Sequence, residues 1–283
     1  MTHALARTFS HNSNYLRSDS PLDDSQIMRV APSIFAHEAH DSRSERYVYI
    51  PTIDVLNGLR AEGFQPFQVV QSRCRLPGKS EFTKHMIRMR REGTIHAPQA
   101  NEIILLNSHD GTSSYQLLAG VFRFVCQNGM VCGDILQDIR IGHRGNARDI
   151  QDDVIEGAYT VLSNFGAVDE AREVMQQQRL THGEQLAFAE AALHLRFDDE
   201  GGTKKAPITP DQMLQLHRRE DQGDSVWQTF NVIQENAIHG GLRGRTANNH
   251  RTRTRPVTGI AQDVKLNQAL WILAERMKEL KAA

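Results

Sequence analysis

Three extended segments follow one another between residues 67 and 106, and this run constrains the fold more than any other part of the sequence. Phe67 to Arg75, Phe82 to Arg90 and Glu102 to Leu106 read as strands, the first two joined by the turn-forming Leu76-Pro77-Gly78-Lys79. A β-meander is the simplest way to connect them. Helical patterns bracket the run. Pro51-Thr52-Ile53-Asp54 opens a short helix with Thr52 as N-cap, Val55, Leu56 and Leu59 on one face and Gly63 at its end. After the turn-rich Asn107-Ser108-His109-Asp110-Gly111, the stretch Ser114 to Cys126 carries Leu117, Leu118, Val121, Phe122 and Val125 at helical spacing. The expected fold class is α+β: a core of helix, three-stranded antiparallel meander and helix, with one sheet face covered and one open, and additional C-terminal helices.

The first 45 residues are rich in Ser, His and Asp and lack periodicity, so residues 1–45 read as a polar N-terminal arm, ordered only by docking. The α-β-β-β-α core with its basic hairpin spans 46–150, and a mainly helical region spans 151–283. In that region helical patterning runs from Ile150 to about Phe197, and Asp198 to Lys205 is a polar linker. Thr209-Pro210-Asp211 starts another helix, Ser225 to His239 continues helical, and Gln262 to Lys281 is amphipathic through Leu266, Leu270, Leu273 and Met277.

Net charge at pH 7 is −1 across 283 residues, but the charges are segregated. Between Arg73 and Arg91 stand Arg73, Arg75, Lys79, Lys84, Arg88, Arg90 and Arg91 against the single acid Glu81. Between Arg243 and Arg255 stand Arg243, Arg245, Arg251, Arg253 and Arg255 with no acid, inside an Arg/Gly-rich loop over 240–256. Period-2 geometry aligns Arg73 with Arg75, and Lys84 with Arg88 and Arg90, so the hairpin is expected to carry a cationic stripe. Such a stripe neutralises phosphates and gives salt-sensitive, sequence-tolerant affinity. The bland alternative is a solvated sheet face, or for 240–256 an exposed connector; two such segments in one near-neutral chain favour binding.

Other chemistry is poorly supported. No Gly-Lys-Ser/Thr ends a glycine loop, which argues against a nucleotide phosphate loop. Asn107-Ser108-His109-Asp110 has the residue types of a hydrolytic triad, but adjacent residues cannot aim at one point, so it reads as a turn with side-chain-to-backbone hydrogen bonds. The spacing of Cys126 and Cys132 is not that of a zinc knuckle, and with Cys74 these thiols read as buried residues of a reducing compartment. With no apolar run long enough for a bilayer and no signal region, a cytoplasmic location is expected. No cofactor, metal or membrane contact is indicated.

Several segments together resemble the phage- and plasmid-encoded family called domain of unknown function 932, over most of the chain from about Asp54 onward. They are Asn107-Ser108-His109-Asp110-Gly111, then Phe122-Arg123-Phe124-Val125-Cys126-Gln127-Asn128-Gly129-Met130, Gln234-Glu235-Asn236 with Gly240-Gly241-Leu242, and Leu266-Asn267-Gln268-Ala269-Leu270-Trp271. The resemblance implies mobile-element biology and supplies no reaction. The expected core order is similar in topology to single-strand annealing recombinases, in which positively charged hairpins and loops hold a strand along an oligomeric ring. The combined expectation is a non-enzymatic protein that binds single-stranded DNA, or alternatively RNA, and anneals strands without ATP. It would act as a homo-oligomeric ring or filament, with Arg73, Arg75, Lys84, Arg88, Arg90 and Arg253 foremost among the phosphate contacts. Two rivals remain open. One is a metal-dependent DNA-processing enzyme using Asp110, His109 and Asp134 or His143; the other is a counter-defence protein whose arginines meet an acidic host protein.

Overall fold

The computed structural model describes residues 13–44, 47–74, 76, 78–91, 99–124, 128–132, 139–197 and 205–282. The chain divides into two compact units. The first comprises Met1–Phe124, Leu136–Phe165 and Thr258–Ile260; the second comprises Val125–Ile135, Gly166–Val257 and Ala261–Ala283.

The first unit is built on an antiparallel sheet. Strands β1 (Ser13–Arg17), β2 (Phe64–Ser72), β3 (His85–Arg91), β4 (Gln99–Asn107) and β5 (Tyr115–Arg123) lie side by side in chain order. The strand β6 (Asn128–Val131) falls in the second unit, and β7 (Ile139–Ile141) pairs with β5 in the first. Two readings from sequence are corrected here. The helix expected from Ser114 is a strand, since Tyr115–Arg123 pairs with β4 from Leu106↔Gln116 to Gln99↔Arg123; Val125 and Cys126 lie outside the described residues. This strand is buried on both faces, so it lacks the polar alternation that marks a half-exposed strand. Nor are residues 1–45 a loose arm throughout. Ser13–Arg17 pairs with β2, and helix α1 (Asp24–Val30) starts on a capping box in which Asp23 Oδ1 accepts from Gln26 N at 2.8 Å.

Helices α2 (Thr52–Ala61) and α3 (Ala147–Ser163) belong to the same unit, and α3 lies against β5 and β7. Gly157 permits that approach: a Cβ there would stand 2.6 Å from Leu117 Cδ1 and 3.1 Å from Ile139 Cγ2. The boundary expected at residue 150 therefore cuts a helix that belongs to the sheet unit. Val55, Leu56 and Leu59 of α2 are buried, but its N-cap is Pro51 and not Thr52, whose hydroxyl is engaged elsewhere.

The sheet is rolled. In a flat sheet the first and fifth strands would lie about 19 Å apart, yet the Arg17 guanidinium of β1 sits 5.3 Å from the ring centre of Phe122 on β5. Inside the curl, on the face opposite Ile87, Leu105 and Leu117, lie Arg88, Arg90 and Glu102.

The second unit is mainly helical: α4 (Phe165–Gln177), α5 (His182–Phe197), α6 (Pro210–Met213), α7 (Val226–His239) and α8 (Ile260–Ala282). Thr209 and Ser225 cap α6 and α7 with full capping boxes. The core is an aromatic cluster in which Trp271 of α8 meets Trp227 at 6.2 Å and Phe230 at 5.9 Å in edge-to-face packing. Residues 240–256 are no irregular loop. They contain a hairpin of β8 (Arg243–Arg245) and β9 (Arg251–Arg253). Among the described residues, no helix is long and apolar enough to cross a membrane.

Candidate nucleic-acid interface

Helix α7 ends at Gly240, whose φ of 63° suits glycine, and a Cβ there would stand 2.7 Å from the Arg255 backbone. The chain then turns into β8. Antiparallel register sets Arg243 opposite Arg253 and Arg245 opposite Arg251, with Gly244 opposite Thr252 between them. Cross-strand backbone bonds flank these positions, Thr254 N to Leu242 O at 2.9 Å and Thr246 N to His250 O at 2.9 Å. By the alternation of an antiparallel ladder, both arginine pairs occupy the non-hydrogen-bonded sites, where Cα atoms are about 4.5 Å apart and side chains approach most closely. All four arginines are exposed and share one face.

The other face of the hairpin is held down. Arg245 N donates to Pro207 O at 2.7 Å, and a Cβ on Gly244 would lie 2.0 Å from that same oxygen. Gln212 Nε2 donates to Arg243 O at 2.9 Å, while Leu242 and Thr254 are buried at the hairpin base. At the tip, Asn249 takes a φ of 63°, and Arg245 Nη1 donates to its O and Oδ1 at 3.1 and 3.0 Å. Gln212, Arg243, Gly244, Arg245, Arg251, Thr252 and Arg253 line an open recess of about 670 Å³. The ion pairs formed among the described residues of this unit include none of the hairpin arginines. Arg255 is also exposed, and its carbonyl accepts from Arg196 Nη2 at 2.9 Å.

The basic cluster at 73–91 does not form the stripe expected of it. Arg88 and Arg90 are each 1% exposed and enclose Glu102, which is fully buried. Arg88 Nη1 meets Glu102 Oε2 at 3.0 Å, and Arg90 Nε meets Oε1 at 2.8 Å. The Arg90 guanidinium also lies over Phe67, Phe122 and Phe124 at 4.5, 4.2 and 4.9 Å. These two arginines are internal to the rolled sheet and cannot serve as surface phosphate contacts. Lys79 is half-buried beside Asp110 at 3.4 Å, Lys84 is half-buried, and Arg73 and Arg91 are exposed, Arg73 donating to Asn14 Oδ1 at 3.2 Å. Arg75 lies outside the described residues.

A second polar assembly, absent from the sequence reading, lies in the first unit. Gln71, His85 and Asn107 stand in one cross-strand row, beneath Thr52 at the start of α2. Ser33 Oγ donates to Gln71 Oε1 at 2.9 Å, which leaves its oxygen to accept from His85 Nδ1 at 2.8 Å. Neutral His85 then accepts at Nε2 from the Thr52 hydroxyl, 3.0 Å away. Thr52 Oγ1 in turn accepts from Asn107 Nδ2 at 3.0 Å and His109 Nε2 at 3.1 Å, and Asn107 Oδ1 accepts from His143 Nε2 at 2.9 Å. Burial pushes His85 well below the ordinary histidine value, His109 down to about 4, and His143 down as well. The same burial raises Tyr115, whose hydroxyl donates to Ile50 O at 3.1 Å.

Asn107, His109 and His143 are thus tied into one hydrogen-bond network with Thr52. Ser108 Oγ accepts from Ser113 N at 2.8 Å and Asp110 Oδ1 from Thr112 N at 3.0 Å, the bonds of a tight turn. Among the described residues, no cluster of His, Cys, Asp or Glu could hold a metal ion, and Asp134 lies outside them. Cys74 is half-buried and Cys132 buried, and Cys126 lies outside the described residues.

A family model described as "Domain of unknown function (DUF932)" matches residues 39–271. Two proteins of Escherichia coli (strain K12), the UPF0380 proteins YafZ and YfjQ, are each 52% identical over 264 residues, covering 93% of this chain and 94% of the relative. No solved structure matches the chain significantly.

Proposed function

Since the chain belongs to the DUF932 family, whose description names no reaction, we propose its function from the geometry: it binds single-stranded nucleic acid on the arginine face of the β8–β9 hairpin. The observation that carries this reading is the register Arg243↔Arg253 and Arg245↔Arg251 on an exposed face. Like charges directly opposite one another destabilise a ladder by a few tenths to about 1 kcal/mol per pair. Two such pairs without a described carboxylate partner suit an anionic ligand better than a solvated surface. The face offers guanidinium donors and no aromatic ring, so it would hold the phosphate backbone, with arginine planes available to stack on bases. Backbone contacts leave base edges free to pair, and annealing of complementary strands without ATP is the activity we would assign to such a grip in a mobile element.

The test is binding of a labelled single-stranded oligonucleotide and its duplex across a salt series, with annealing followed in the same samples. Steeply salt-dependent single-strand binding, lost in R243A/R245A/R251A/R253A, is the expected result. Unaltered binding by that variant would remove the hairpin from the interface.

A further inference from the structure

Resting on that reading, we infer that each opposed arginine pair is a clamp for one phosphate, so that the hairpin grips two successive phosphates of one strand and not four. Arg243 with Arg253 forms one clamp and Arg245 with Arg251 the other. Both pairs stand at the closest approach an antiparallel ladder allows, so one anion between the strands lies within reach of both side chains of a pair. An anion between them relieves the repulsion and accepts from two planar forks at once, the geometry that guanidinium groups favour with phosphate.

The distance between the clamps selects the ligand. Two residues along a strand advance about 6.8 Å, which suits neighbouring phosphates on an extended sugar–phosphate backbone and exceeds the step between adjoining phosphates of a polyphosphate chain. Gly244 and Thr252, between the pairs, direct their side-chain positions away from the arginine face, that of Gly244 toward Pro207, so the floor of that face is bare backbone. Arg245 is already oriented by its two bonds to Asn249. Extending the register sets Gly241 opposite Arg255, so Arg255 has no arginine across from it and lies outside both clamps.

The experiment measures affinity of the full chain for oligothymidylate against salt concentration, for wild type, R243A/R245A/R251A/R253A, the four single variants, and the pairs R243A/R253A and R243A/R251A. Each phosphate neutralised on a single strand contributes about 0.7 to the logarithmic salt slope, so two clamps predict a wild-type-minus-quadruple difference of about 1.4, against about 2.8 for four separate contacts. Over a fourfold rise in salt this is about a sevenfold against about a fiftyfold extra loss of affinity. Within a clamp the substitutions should be non-additive, R243A/R253A costing little more than either single change, whereas R243A/R251A should be close to additive. R243Q/R253Q replaces the alanine pair if that pair fails to fold. A slope difference near 2.8 with four additive singles would overturn the clamp while leaving the binding reading intact. So would short inorganic polyphosphate competing as well, phosphate for phosphate, as oligothymidylate. Absence of wild-type binding at low salt overturns the binding reading and the clamp together.

Discussion

Arg90 on β3 stands directly opposite Glu102 on β4, its Nε 2.8 Å from Oε1, with both side chains sealed inside the rolled sheet. The carboxylate serves two cations, since Arg88 Nη1 meets its other oxygen at 3.0 Å. Removing one partner of a buried ion pair leaves a charge without compensation, at a cost of about 3–5 kcal/mol. E102A should lower the stability measured by urea denaturation by about that amount. R90M should lose less, because a thioether can pack among Phe67, Phe122 and Phe124 while Glu102 keeps Arg88. Equal losses would mean that the charge of Arg90, and not its packing, matters most.

The buried imidazoles give stability a pH dependence of definite sign. In the unfolded chain a histidine takes up a proton near pH 6.5, whereas burial holds His109 neutral in the folded chain down to about 4. The unfolded state therefore binds more protons between these values. This contribution is fully present above about pH 6.5 and is lost as pH falls toward 4. The shift corresponds to about 3 kcal/mol for His109. Urea midpoints should fall as pH drops from 7.5 to 5, and H109Q, whose amide can stand in for the Nε2 donor to Thr52, should show a shallower fall; an identical slope would remove His109 from this dependence.

Gly244 tests the mounting of the hairpin without touching its charge. A Cβ there would lie 2.0 Å from Pro207 O and 2.8 Å from Ile208 Cγ2, so in G244A the strand must lift or the Pro207 segment must move. Overpacking of this kind costs about 1–3 kcal/mol. We expect G244A to lose stability and single-strand affinity together, read by thermal denaturation and oligonucleotide titration. Unchanged affinity would show that the arginines act without the hairpin's fixed geometry.

Opposed like charges imply that affinity and stability trade against each other. R243Q/R251Q removes one arginine from each pair and should raise the thermal midpoint at low salt, each relieved pair contributing a few tenths to about 1 kcal/mol. The same variant should bind oligonucleotide more weakly, and its stability gain should shrink at 1 M salt, where surface charges are screened. A lower midpoint would show that the arginines support the hairpin in some other way.

Much of the fold was legible in the sequence, and the failures have physical causes. Thr209-Pro210 and Ser225 marked helix starts because capping chemistry is local. Leu117, Leu118, Val121 and Phe122 looked helical because a strand buried on both faces need not alternate, and spacing alone cannot separate the two cases. Arg88 and Arg90 do share a face, but their counter-charge, Glu102, comes from the next strand, outside residues 73–91. The alternating arginines at 243–253 were visible, and only their strand pairing was missed, since three-residue strands are too short to reveal a period. The histidine network was not legible, for its members at 52, 85, 107, 109 and 143 meet only once the sheet and α2 are assembled.

The pairing of β1 with β2, from Ser13↔Ser72 to Arg17↔Gln68, sets an order of events during synthesis. Residues 13–17 leave the ribosome well before their partner strand exists, so they must wait without a mate until Ser72 has emerged. Over that interval the segment is available to any other strand edge in the cell, and it is relieved early, since the β1–β2 ladder needs only residues up to Ser72 and can close before β3, β4 and β5 have emerged.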